Sequence, residues 1–216
     1  GYVAAIRLAQ LGKKVIVVDR EKIGGVCLNS GCIPSKAMIT AAHFFDKVQH
    51  VEEMGFTIAK PSVDFSKLQN WKQSVVNKLT GGIGQLFKAN GCEYLSGAAK
   101  FISPQELEVK TADGSVEMVK ATNFVIASGS RPIEIPGFSF DKKNVLSSTE
   151  ALELADLPKR LVVIGGGYIG LEIGSYYNKF GVDVTVLEAT DGLLKGVVDA
   201  DCVQVVARKI KKRGVK

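Results

Sequence analysis

Four apolar residues, Leu161-Val162-Val163-Ile164, run directly into Gly165-Gly166-Gly167-Tyr168-Ile169-Gly170. A continuous apolar run is the pattern of a strand buried in a parallel sheet. In G-x-G-x-x-G the first glycine makes the tight turn and the second lets backbone approach a pyrophosphate. The third lets the next helix pack on the strand. That helix points its unpaired N–H groups and the positive end of its dipole at phosphate. Residues 171–180 predict the helix, Gly181 its left-handed stop, and Val184-Thr185-Val186-Leu187 the following strand. Glu188 lies 23 residues beyond Gly165, where a carboxylate reaches ribose hydroxyls. A glycine-rich turn that holds no ligand is the plainer alternative. Strand, turn, helix and acid in this order favour a dinucleotide unit over it, with contacts at Gly165, Gly166, Gly167, Tyr168, Ile169, Gly170 and Glu188.

The pattern recurs at an offset of 169 residues: Gly1 falls on Gly170, Gly12 on Gly181 and Asp19 on Glu188. Residues 2–11 predict the matching helix and Val15-Ile16-Val17-Val18 the matching strand. By symmetry Gly1 is the third glycine of another such motif, whose strand and first two glycines are missing here. The chain therefore reads as part of a longer one, opening on Gly1 and ending just after a helical segment. Loss of a central strand leaves its neighbours' backbone groups unpaired, so this stretch is not expected to turn over alone. Two dinucleotide units imply electron transfer between two cofactors. Carboxylates at both strand ends disfavour a 2′-phosphate, which favours NAD over NADP.

Composition sets outer limits. With 46% hydrophobic and 23% charged residues, disorder, collagen and a small disulfide scaffold are excluded. No apolar run nears the ~18 residues of a membrane span, and no signal peptide opens the chain. Of the 28 basic residues, which exceed the 22 acidic ones, six lie in residues 208–216. They read as the solvated, dipole-favoured end of a helix, and the rest is near neutral, so neither nucleic acid nor membrane is an expected partner.

Between the two units runs Gly24-Gly25-Val26-Cys27-Leu28-Asn29-Ser30-Gly31-Cys32-Ile33-Pro34-Ser35-Lys36. Five residues of ideal helix rise about 7.5 Å, beyond the ~7 Å Cα limit for a disulfide. A Cys27–Cys32 bond therefore needs distorted backbone, which Gly31 and Pro34 can supply. So short a loop gains little chain entropy from a bond, which suits a reversible redox pair better than a staple. Buried free thiols and a metal ligand pair remain open on these residues alone, although no C-x-x-C or Cys/His set completes a zinc site. Cys92 and Cys202 stand alone and read as ordinary residues. His43 and His50 read as surface or packing residues, and Trp71 as core.

The segment Gly24–Lys36 closely resembles the active-site stretch of the flavoprotein disulfide reductases, G-G-x-C-x-N-x-G-C-x-P-x-K. The opening Gly1-Tyr2-Val3-Ala4-Ala5-Ile6-Arg7 and the Cys27–Lys36 stretch are most similar to the dihydrolipoamide-oxidising branch of that family. The resemblance implies an α/β fold of two Rossmann-like domains, one for FAD and one for NAD, with three-layer parallel sheets and a β-meander. The FAD domain would span residues 1–146 and the first half of the NAD domain residues 147–216. It implies a homodimeric NAD-dependent oxidoreductase, bacterial cytoplasmic or mitochondrial. Dihydrolipoamide, carried on the lipoyl domain of a 2-oxo acid dehydrogenase complex or of the glycine cleavage system, would be oxidised to lipoamide. Cys27 would be the interchange thiol, Cys32 the thiolate against the flavin, Lys36 the cation near flavin N5, and Glu172 its partner. Tyr168 would gate the nicotinamide. FAD would further meet Gly1, Asp19, Gly25, Val26, Ala99, Ser128, Gly129 and Ser130. Ser128 replaces the family's usual threonine, and Ala99 stands where relatives often carry glycine. The family's second-half Gly-Asp motif and the acid–base His–Glu pair from the partner subunit would lie beyond Lys216, as would the dimer interface. Mercuric or glutathione-type reductases are the nearer rivals, and a catalytically silent fragment the more distant one.

The remaining pattern predicts a helix over 65–89 interrupted by Gly81, Gly82 and Gly84, and short strands over 93–120 with a hairpin at Asp113-Gly114. A short strand is expected over 124–127, and Pro132 and Pro136 mark the exit from the first domain.

Overall fold

A computed structural model describes residues 1–216. In chain order the elements are α1 (Tyr2–Gln10), β1 (Ile16–Asp19), α2 (Gly25–Ser30), α3 (Cys32–Val48), α4 (Phe65–Ala89), β2 (Glu93–Ser103), β3 (Glu106–Thr111), β4 (Val116–Lys120), α5 (Ser148–Ala151), β5 (Arg160–Ile164), α6 (Tyr168–Lys179), β6 (Asp183–Leu187) and α7 (Ala200–Lys212). A 3₁₀ turn, Val51–Met54, follows α3. The chain forms two compact units, residues 1–29 with 76–131 and residues 30–75 with 132–216.

The first unit holds a four-stranded sheet in the order β1-β2-β3-β4. β1 runs parallel to β2, from Ile16 opposite Glu93 to Asp19 opposite Ser96. β2, β3 and β4 form an antiparallel meander, with a bulge between Phe101 and Ser103. Leu107, Val109 and Val119 bury one face with Val18, Leu95 and Phe124. The hairpin turns where Asp113-Gly114 predicts it: Gly114 has φ +87°, and Asp113 accepts from the Ser115 amide and hydroxyl and from the Thr111 hydroxyl. Those donors lower the Asp113 carboxyl to about 2, the Thr111 hydroxyl contributing most.

Two expectations fail here. Helix α4 runs unbroken through Gly81, Gly82 and Gly84. Its buried stripe, Phe65, Val76, Ile83 and Phe87, outweighs the ~1 kcal/mol that each helical glycine costs. Residues 124–127 form no strand, because they make no ladder pairing; Val125 and Ile126 are 66% and 76% exposed.

The second unit is built on β5–α6–β6, whose two strands pair in parallel from Arg160 opposite Asp183 to Ile164 opposite Leu187. Alternate residues Leu161, Val163, Val184 and Val186 face the core of α6, where Ile173, Tyr176, Tyr177 and Phe180 pack with Met38 and Ala42 of α3. The other sheet face carries Val162, Ile164 and Leu187, all exposed. β5, α6 and β6 thus form one βαβ unit. Tyr176 and Tyr177 both donate to the Ala151 carbonyl, at 3.2 and 2.6 Å. Trp71 is 45% exposed and not core: the buried slot beside it goes to Lys72, whose Nζ donates to the Leu152 carbonyl at 2.7 Å. Burial lowers the Lys72 ammonium below its usual value. The basic tail is partly tied down, with Arg213 paired to Asp46 and Lys216 to Asp183. No helix is long and apolar enough to cross a membrane.

Candidate active site

The glycine turn of the second unit has the shape its sequence demands. Gly165 adopts φ +106°, which a side chain would strain. A Cβ on Gly170 would lie 2.5 Å from the Gly165 carbonyl oxygen and 2.9 Å from Val163 Cγ1, so only glycine lets α6 settle on β5. A Cβ on Gly166 would meet Leu193 at 2.5 Å. Gly167 caps α6 with no side-chain hydrogen bond, and nothing stands within 4 Å of where its Cβ would be. The N–H groups of the first turn are therefore open to an anion, the arrangement a pyrophosphate fits.

Glu188 closes this loop. Its Oε2 accepts from the Gly166 amide at 2.6 Å, and its Oε1 accepts from the amide and hydroxyl of Thr190 at 2.8 Å. These bonds, the Thr190 amide first, hold its carboxyl below the usual value.

In the same unit α3 and α6 lie side by side with a constant sequence separation. Lys36 Nζ sits 2.6 Å from Glu172 Oε1, and two turns further along both helices Lys179 Nζ sits 2.8 Å from His43 Nε2. Both pairs are 136 residues apart. Helices running in the same direction keep such a register when each advances by seven residues, two turns. Ser35 donates to the other Glu172 oxygen at 3.1 Å. Burial, then the Lys179 charge, lowers the His43 imidazole. Lys36, Glu172 and the 61% exposed Tyr168 line a cavity of about 420 Å³ with Leu171, Leu194 and Ile210. Ile169, the next residue of the motif, is 48% exposed.

Cys27 lies in α2, in the first unit, and Cys32 opens α3, in the second; both side chains are exposed. Between them the backbone leaves the helical region at Gly31, with φ −133° and ψ −112°. Pro34 is tolerated because it stands in the first turn of α3. Four residues apart on that helix, Cys32 and Lys36 share a face.

The first unit gathers its own predicted residues. Gly1 caps α1 without a side-chain bond, and its Cβ would meet only Ala127, at 3.4 Å. Asp19 ends β1 and accepts from the Glu21 amide at 2.9 Å. Gly24 and Gly25 turn with φ +104° and +66° into α2, Val26 being 49% exposed. Asn29 secures that turn by donating to the carbonyls of Ile23 and Gly25. Ala99 is exposed on β2 opposite Val109, without positive φ, so alanine fits. Ser128, Gly129 and Ser130 are exposed in irregular backbone, Gly129 at φ +72°. Uncapped α1 and the open Gly25 and Gly129 suit a second dinucleotide.

Sequence reasoning missed Ser35, the His43–Lys179 contact and the Thr190 clasp. The first two carry one faint signal, the seven-residue steps 36→43 and 172→179.

Known proteins resemble this chain in sequence and in fold. Dihydrolipoyl dehydrogenases of Geobacillus stearothermophilus and Bacillus subtilis are 48% and 49% identical over 100% and 99% of the chain. The chain spans 45% of the length of each of these relatives. Among solved structures, the HOCl-induced flavoprotein disulfide reductase RclA from Escherichia coli superposes with TM-score 0.82 at 28% identity, over 100% of this chain and 45% of that one. LpdA from Mycobacterium tuberculosis shares the fold, with TM-score 0.89 at 24% identity over 100% of this chain and 47% of that one. Residues 1–216 match the family described as pyridine nucleotide-disulphide oxidoreductase. That match takes in the whole chain, including the glycine turn, Cys27, Cys32 and the Lys36–Glu172 bridge, and the chain belongs to the pyridine nucleotide-disulphide oxidoreductase family.

Proposed function

We propose that the protein containing this chain is a dihydrolipoamide dehydrogenase. It would oxidise dihydrolipoamide to lipoamide and reduce NAD⁺. The observation that carries the reading is the Lys36 ammonium, held 2.6 Å from Glu172 one turn beyond Cys32, in a chain 48% identical to a dihydrolipoyl dehydrogenase. Residues 1–146 are assigned to the FAD domain and residues 147–216 to the first half of the NAD domain.

Cys27 takes the interchange role. As the thiols of dihydrolipoamide become a disulfide, the Cys27–Cys32 disulfide opens to two thiols by exchange. FAD, when bound, carries the electron pair from that dithiol to NAD⁺. Lys36 places a positive charge where negative charge develops, and Glu172 keeps it there. The residues that would hold FAD are Gly1, Asp19, Gly25, Val26, Ala99, Ser128, Gly129 and Ser130. Gly165–Gly170 and Glu188 would hold NAD, with Tyr168 beside the nicotinamide. Lipoyl domains and a second copy of the full-length protein are the expected partners, and a bacterial cytoplasm or mitochondrial matrix the expected compartment.

The test is dihydrolipoamide-dependent NAD⁺ reduction by the full-length protein. Cys27→Ser and Cys32→Ser should each lower it by at least about a thousandfold, and NADP⁺ should replace NAD⁺ poorly. Full activity in either variant overturns the reading.

A further inference from the structure

Residues 35 and 36 are consecutive on α3, so their side chains leave the helix about 100° apart. Both nevertheless reach one carboxylate on another helix. Ser35 Oγ donates to Glu172 Oε2 at 3.1 Å, and Lys36 Nζ to Oε1 at 2.6 Å. The serine hydroxyl of a helix commonly returns to its own carbonyl four residues back. Here the Ser35 amide serves the Gly31 carbonyl, and the hydroxyl is left for Glu172.

The two anchors differ in burial. Ser35 is 7% exposed, whereas the side chains of Lys36 and Glu172 are 58% and 38% exposed. An ion pair that solvent can reach orders its partners weakly. A hydroxyl fixed in the interior gives the carboxylate a second attachment and sets which oxygen faces the lysine. We propose that Ser35 is a positioning residue, whose hydroxyl orients Glu172 so that Glu172 in turn holds the Lys36 ammonium in place. The proposal deepens the reading of Lys36 as the cation of the redox site and rests on it for its consequence, but the relay itself can be measured without that reading.

The experiment is trace acetylation of the full-length protein with acetic anhydride, with labelling of Lys36 read by mass spectrometry against the exposed Lys13. Ser35→Ala should raise Lys36 labelling roughly fivefold, about 1 kcal/mol at 1.4 kcal/mol per tenfold. Ser35→Thr, which keeps the hydroxyl, should stay close to the wild type. Glu172→Gln should raise labelling at least as much, and adding Ser35→Ala to Glu172→Gln should change nothing more. Unchanged labelling in Ser35→Ala overturns the proposal. So does an equal effect of Ser35→Ala in the Glu172→Gln background, since the serine would then act by packing alone. Loss of this coupling in a protein that still oxidises dihydrolipoamide refutes only the relay. Intact coupling in a protein that does not oxidise it refutes only the functional reading.

Discussion

The two glycine–helix–strand–acid stretches obey one local rule and differ in what surrounds them. Gly12 and Gly181 stop α1 and α6 in the same left-handed conformation, at φ +76° and +91°. Yet α1 buries only Ala5, while α6 buries Leu171, Ile173, Gly174, Tyr176 and Tyr177. Arg7 stands on α1 where Tyr176 stands on α6; the arginine is exposed and the tyrosine is 1% exposed. The strand ends differ as well. Asp19 takes one amide, whereas Glu188 takes two amides and a hydroxyl. Repetition of a pattern therefore fixes the turn and the helix stop. Neighbours decide the energetics: α3 and α5 pack against α6.

This contrast can be broken most directly at matched positions. Tyr176→Ala should cost about 3–5 kcal/mol, through lost burial and a lost bond to the Ala151 carbonyl. Arg7→Ala should change stability by less than about 0.5 kcal/mol. Urea unfolding of the full-length protein measures both, and equal costs would refute the difference in packing. Gly170→Ala should cost about 2–3 kcal/mol in the same assay, because its new methyl group meets backbone that cannot yield. Gly12→Ala and Gly181→Ala sharpen the shared part of the rule. Each should cost about 1 kcal/mol, and by the same amount, since the strain is local.

The smallest effect concerns acid. The Glu188 carboxyl titrates lower in the fold than in the unfolded chain, because the Thr190 and Gly166 amides hold its charged form. Its stabilising contribution is complete above the unfolded value near 4.5 and fades as pH falls through the lower folded value. Glu188→Gln should therefore make the acid limb of a Tm–pH curve shallower. An unchanged limb would place the carboxylate outside the loop.

What the sequence disclosed follows the range of the forces involved. The turn at Gly165–Gly170, the stop at Gly181 and the hairpin at Asp113-Gly114 depend on backbone within a few residues, and periodicity with glycine placement exposes them. The bounds of α4 were legible but its continuity was not, because three glycines weaken local helix propensity while the burial of Val76, Ile83 and Phe87 offsets it. Residues 124–127 escaped because a strand requires a neighbour, which no local pattern reveals. At the site, Cys27, Cys32 and Lys36 stood out as a motif. The bridge to Glu172 was expected from resemblance alone, and the Ser35 bond to it, across 137 residues, left no local trace.

A thiol pair working beside a flavin leaves its mark on the visible absorption spectrum of the full-length protein. Flavin bands are expected, with a long-wavelength shoulder after two-electron reduction that Cys32→Ser abolishes. A colourless protein, or a shoulder that survives Cys32→Ser, would contradict that pairing.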